Sequence, residues 1–179
     1  MESNRLLCDM DGVTADFMGE VYRQAELETG VKYCHADTVD YWFKDSKHAS
    51  LFKEIIHRAG VFADLEPITG AVRAINRLRE RYDVVFCTSP PEGSTTAENE
   101  KREWIARHFD LSMAEEAIVT LDKSIVPGRV LIEDNPYVSI KAPWKPIMFD
   151  QPWNKGTDLL RIPRMYGWGH LDVVYKEMR

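Results

Sequence analysis

The sequence predicts an α/β fold: a three-layer α/β/α arrangement around an open parallel sheet, with a small helical insertion after the first strand. Three observations predict it. Short apolar runs without strict alternation recur along the chain, as in parallel strands buried on both faces. Amphipathic helical stretches separate them, which suggests right-handed strand–helix–strand crossovers. About fifty residues between the first and second apolar runs hold no convincing strand.

The strand candidates are Arg5–Met10, Asp83–Ser89, Ala117–Leu121, Arg129–Asp134 and Pro146–Asp150. Gly70–Arg81 carries apolar residues at Ala71, Ile75 and Leu78 and charges elsewhere, as a helix on a sheet should. Thr95–Phe109 opens with a capping-box pattern and carries Trp104, Ile105 and Phe109 on one side. In the insertion, residues 15–30 read as a helix with Thr14 as its N-cap and Gly30 as its end. Residues 46–60 read as a second helix ending at Gly60. The predicted division is a core domain of residues 1–15 and 66–179 and a helical cap of 16–65. The stretch Gln151–Gly169 lacks periodicity and reads as a long ordered loop before a last helix, His170–Met178.

Composition narrows the function classes. With 179 residues, 44% of them hydrophobic, the chain can bury a core of its own. No apolar run approaches the roughly 20 residues of a membrane helix. The N-terminal stretch lacks a basic segment followed by a long apolar one, so no secretory signal is expected. Cys8, Cys34 and Cys87 cannot all pair and show no CxxC spacing, which fits a reducing, cytoplasmic compartment. The formal charge of −6 disfavours a nucleic-acid polymer as partner, because duplex affinity rests on phosphate neutralisation. A small anionic ligand held by local cations or a metal stays open.

Ligands of open parallel sheets bind beyond the carboxyl ends of the strands. There the first strand offers Asp9 and Asp11, the second Thr88 and Ser89, and the fourth Glu133 and Asp134, with Lys123 just past the third. Carboxylates this close repel one another by several kcal/mol at an effective dielectric near 20, about 4 Å apart. A divalent cation removes that penalty, and an all-oxygen set suits Mg²⁺. Hydroxyls and a lysine nearby complete what metal-assisted phosphoryl transfer needs. Gly12 allows the backbone to approach a ligand closely.

The segments "DMDGV…ADF", "VVFCTSPP", "LDKSIV" and "VLIEDNP" resemble, in order and spacing, the four motifs of the haloacid dehalogenase superfamily of phosphatases. "GVFADLEPITGAVRAINRL", "ENEKREWIARHF" and the loop "FDQPWN" narrow the resemblance to the 5'(3')-deoxyribonucleotidase branch, over about residues 5–155. The resemblance implies a Mg²⁺-dependent phosphomonoesterase acting on nucleoside monophosphates. It implies Asp9 as nucleophile and Asp11 as general acid and base. Thr88, Ser89, Lys123 and Lys101 would hold the phosphate. Asp9, Asp11 through its carbonyl, Asp134 and Glu133 would hold the metal. Phe17, Trp42, Phe43 and Phe62 are the aromatics that could meet the base. The family usually has Asp-Asp where this chain has Glu133-Asp134, so either residue could be the principal ligand. For Lys101, a solvated helix lysine is an equal reading, and for the cap aromatics, core packing. Asp16, Asp37, Asp40 and Asp45 read as capping or solvated, His108 as packed, and Arg161 and Arg164 as surface residues. A phosphatase of another small metabolite or of polynucleotide 3' ends, and a non-catalytic nucleotide-binding module, are the alternatives. A homodimer stays open.

Overall fold

The protein is described by a computed structural model at residues 4–35, 38, 47–137 and 141–179, without the side chains of 157–160. Its sheet has six parallel strands. They are β1 (Arg5–Cys8), β2 (Asp83–Thr88), β3 (Ile118–Val119), β4 (Val130–Glu133), β5 (Lys145–Phe149) and β6 (Arg164–Met165), in the order β3-β2-β1-β4-β5-β6. β1 lies at the centre, paired with β2 through Cys8 and Phe86 and with β4 through Cys8 and Ile132. Its residues Leu6, Leu7 and Cys8 are fully buried. That two-sided burial explains why the strand reads as an unbroken apolar run.

Side chains alternate across the sheet. Leu6, Cys8, Phe86, Val130 and Ile132 join the larger core cluster with α3 (Ala71–Arg79), α4 (Ala97–His108) and α6 (Leu171–Glu177). Leu7, Val85, Cys87 and Leu131 face the other way, against Val126 and Trp144. Cys8, Cys34 and Cys87 are all free thiols, and Cys34 alone among them is exposed.

Between β1 and β2 stand α1 (Phe17–Thr29) and α2 (Ala49–Ile56), and no strand is found in 16–65 among the described residues. Tyr22, Tyr33 and Phe52 pack together at ring separations of 5.2–5.6 Å. The segment's two ends are stitched together: Asp16 N donates to Glu66 O and Ile68 N to Thr14 O, both at 2.8 Å. Gly30 ends α1 in the left-handed conformation, as the sequence predicts.

Several local expectations change. Asp16, not Thr14, caps α1, its carboxylate accepting from Gly19 N at 3.0 Å. Thr14 is buried below the turn, and its hydroxyl donates to the carbonyls of Asp9 and Met10. The capping box before α4 does not form. Thr96 has helical backbone angles and makes no cap bond, and Ser94 Oγ accepts from Ala97 N instead. A further short helix, α5 (Leu111–Glu116), is capped by Asp110. The stretch expected as a long ordered loop contains the 3-10 run Pro152–Leu160 and the edge strand β6, which pairs with β5. Arg164 is not a surface residue: its guanidinium is nearly buried and donates to Asp150 Oδ1 at 2.9 Å and Asn154 Oδ1 at 2.8 Å. No described helix is long and apolar enough to cross a membrane.

Candidate active site

The order β2-β1-β4 brings three strand ends side by side. Asp9 follows the last residue of β1, Thr88 ends β2, and Glu133 ends β4 with Asp134 next. The 3-10 turn Lys123–Ile125 sets Lys123 at the same rim. Its ammonium lies 2.8 Å from Asp9 Oδ2 and 2.7 Å from Glu133 Oε2. A second buried cation, Lys101, comes from the first turns of α4, pairs with Asp11 Oδ2 and donates to Thr88 Oγ1 at 3.1 Å. Lys101 is fully buried, which rejects the solvated reading. Each catalytic-looking carboxylate thus has its own lysine.

Burial raises the cost of ionising every acid here, and the neighbours decide the outcome. For Asp9, burial is outweighed by Lys123, with Glu133 and Lys101 adding to it, so the carboxyl falls below its usual range. For Asp11, burial prevails over Lys101 and the carboxyl rises. Burial and then the charge of Asp9 push Glu133 up to about 7. Asp134 rises well above the usual range through burial, then Glu133 and Asp9. Lys123 stays charged: burial opposes its proton, but Asp9 and Glu133 more than compensate.

Oxygen atoms of Asp9, Glu133 and Asp134 come within 4.8 Å of one another. Asp11 Oδ1 is buried without a hydrogen-bond partner. An acid-rich, all-oxygen set with an unsatisfied buried carboxylate oxygen fits a hard divalent cation. The two acids at the end of β4 differ in how fully they are used. Glu133 Oε2 accepts from Lys123, and Oε1 accepts from the amides of Asp134 and Asn135 at 3.1 Å. Asp134 Oδ2 accepts one bond, from Trp153 Nε1 at 3.0 Å.

Above the rim lies a cleft of about 820 Å³, lined by Asp9, Asp11, Phe17, Phe62, Ser89 and Lys123 among others. That volume suits a small ligand. Phe17 and Phe62 are stacked on each other, centroids 5.3 Å apart and planes within 6°. A planar base inserted between them would need two carbon–carbon separations of about 3.5 Å each. It therefore meets an outer ring face unless the two rings part. Phe62 also covers Lys101 Nζ, 4.4 Å from its centroid. Trp42 and Phe43, with Asp37, Asp40 and Asp45, lie outside the described residues. His108 packs against Trp104 on α4, as expected.

Comparison with known proteins decides the family. The family described as "5' nucleotidase, deoxy (Pyrimidine), cytosolic type C protein" matches residues 3–176. The chain belongs to the 5'(3')-deoxyribonucleotidase family. The human 5'(3')-deoxyribonucleotidase of cytosolic type is 32% identical over 162 residues, covering 82% of this chain and 80% of that protein. The mouse mitochondrial 5'(3')-deoxyribonucleotidase is 30% identical over 180 residues, covering 92% and 81%. Solved haloacid dehalogenase-like hydrolases share the fold. One from Deinococcus radiodurans has a TM-score of 0.57 at 14% identity, covering 98% of this chain and 96% of its own. One from Streptococcus pneumoniae has a TM-score of 0.58 at 10% identity, covering 97% and 98%. Like its deoxyribonucleotidase relatives, the chain is a hydrolase of phosphoric monoesters.

Three further residues converge on this rim, and sequence reasoning did not single them out. Besides Trp153, Gln151 Nε2 donates to Gly12 O at 2.6 Å, and Asn154 Nδ2 donates to Asp134 O at 2.9 Å. A signal existed: polar and aromatic side chains crowd into "DQPWN", directly past a strand's carboxyl end.

Proposed function

We propose that the protein hydrolyses deoxyribo- and ribonucleoside monophosphates to nucleoside and phosphate, with Mg²⁺ held at its acid cluster. The observation that carries this reading is the pairing of Asp9 with Lys123 and Asp11 with Lys101 at one rim, beneath the Phe17–Phe62 cleft. Asp9, kept ionised, attacks phosphorus and forms an aspartyl-phosphate. Asp11, whose carboxyl burial pushes up, protonates the departing nucleoside oxygen and then takes a proton from the hydrolytic water. Lys123, Lys101, Thr88 and Ser89 hold the phosphate oxygens. The aromatic cleft takes the base, and residues 16–65 serve as the cap over it.

Asp9, Asp134 and the Asp11 carbonyl would hold the metal. Glu133 is better placed to fix Lys123 and the backbone after β4, since both its oxygens are already engaged. The metal, when bound, neutralises charge on the incoming phosphate. The free thiols support a reducing, cytoplasmic setting.

Phosphate release from a panel of deoxyribonucleotides, ribonucleotides and sugar phosphates, with and without Mg²⁺, tests the reading. Nucleotides should turn over only with the metal. Asp9→Asn should lose about 10⁴-fold or more while remaining folded. Brisk turnover of sugar phosphates with none of any nucleotide would refute the substrate class.

A further inference from the structure

The segment after β5 closes on Asp134, while Lys123 holds Asp9 and Glu133. Asp134 is gripped there twice. Trp153 Nε1 donates to its Oδ2 at 3.0 Å, and Asn154 Nδ2 donates to its carbonyl at 2.9 Å. Asn154 is fully buried and is itself held: its Oδ1 accepts from Gln151 N at 3.1 Å and from Arg164 Nη1 at 2.8 Å. Gln151 reaches the neighbouring turn after Asp11, its amide donating to Gly12 O at 2.6 Å. The backbone turn after Asp11 and the carboxylate of Asp134 are therefore fastened by one short segment.

That segment also touches the helical insertion. The His35 ring stacks on Trp153, centroids 5.3 Å apart at 30°. His35 Nε2 lies 3.2 Å from Gln151 Oε1. Trp153 is thus sandwiched between the insertion and the acid cluster, with its one polar atom spent on Asp134. A donor on Oδ2 fixes the rotation of that carboxylate, and hydrogen-bonded carboxylates bind metals in the orientation their partners set.

We propose that Trp153 is a positioning residue for Asp134, setting that carboxylate for the divalent cation, and that His35 braces Trp153 from the insertion. The proposal rests on the reading of Asp134 as a metal ligand. The test is calorimetric titration of Mg²⁺ into the wild type, Trp153→Phe, His35→Ala and Asp134→Asn, with melting temperatures measured in parallel. Trp153→Phe keeps a ring for His35 and removes the donor. It should weaken Mg²⁺ binding about 10–100-fold. Asp134→Asn should lose measurable binding.

If Trp153→Phe binds Mg²⁺ as tightly as wild type while Asp134→Asn does not, the positioning role is wrong and the metal reading stands. If Asp134→Asn also binds normally, both fall together. A purely structural role for Trp153 would lower the melting temperature and leave Mg²⁺ affinity unchanged. Should Trp153→Phe fail to fold, His35→Ala decides. Weaker Mg²⁺ binding at an unchanged melting temperature supports the proposal, and unchanged binding overturns it.

Discussion

At the residue scale, Gly12 is the most constrained position of the site. Its φ is +69°, and a Cβ there would overlap Asp134 Oδ2 and stand 3.2 Å from the Trp153 ring. Gly12→Ala adds the left-handed backbone cost of about 1–2 kcal/mol. It also pushes Asp134 away from the Trp153 indole. Phosphatase activity should fall about 10–100-fold at limiting Mg²⁺, with a melting temperature only a few degrees lower. Unchanged activity would show that the cradle is slack. Asp9, Asp11, Thr88, Lys123 and the Glu133-Asp134 pair were all legible in the sequence, because each sits at or near a recognisable strand end. Lys101 was ambiguous, since an exposed and a buried helix lysine look alike locally. Only the position of α4 over the end of β2 separates them. Whether Glu133 or Asp134 is the freer acid was beyond the sequence, because their difference lies in hydrogen bonds from Lys123, Trp153 and backbone amides.

At the element scale, α4 does more than cover the sheet. Glu100, Trp104 and Arg107 follow one another at spacings of four and three and so share a helix face. All three bind the backbone of 60–65, where the insertion returns to the core. Glu100 accepts from Gly60 N at 2.8 Å and Phe62 N at 3.1 Å. Trp104 Nε1 donates to Leu65 O, and Arg107 Nη1 donates to Ala63 O, each at 2.7 Å. Glu100→Ala strands the buried Phe62 amide, at a cost of about 1–3 kcal/mol. Melting should fall by about 2–4 °C per kcal/mol. The effect depends on pH. Burial opposes the charge on Glu100, but the amides of Gly60 and Phe62 and the Thr96 hydroxyl win, so its carboxyl lies below the usual range. A depressed acid stabilises above its unfolded value, and that contribution is lost as pH falls through the folded one. The melting gap between wild type and Glu100→Ala should be full at pH 7 and close below about pH 4. A gap that stays constant would rule out the carboxylate as its source. The five longer-range strand candidates were readable from their apolar runs. β6 and α5 were not: the two-residue β3 sits in the apolar run Ala117–Leu121, but β6 lies in the aperiodic stretch Gln151–Gly169, and the six residues of α5 carry too little periodicity.

At the scale of the whole molecule, distant parts of the chain complete the turn after β1. Gln151 binds Gly12 O, and Trp168 Nε1 donates to Val13 O at 2.8 Å. Gln151 and Trp168 therefore help to set the turn beside the site, although the lack of periodicity around them hid this in the sequence. The core beneath them contains a built-in chemical clock. Cys8 and Cys87 sit one residue before Asp9 and Thr88, both buried, on opposite faces of the sheet. Burial pushes the Cys87 thiol up to about 12 and Cys8 well above its ordinary value, so neither offers much thiolate. Cys34 is exposed. A disulfide reagent at neutral pH should therefore label one thiol promptly and two only as the sheet opens. The slow phase should be retarded by any ligand that binds the folded state alone. Counting labelled sulfurs over time would then measure how often the ground under Asp9 gives way, without any substrate present.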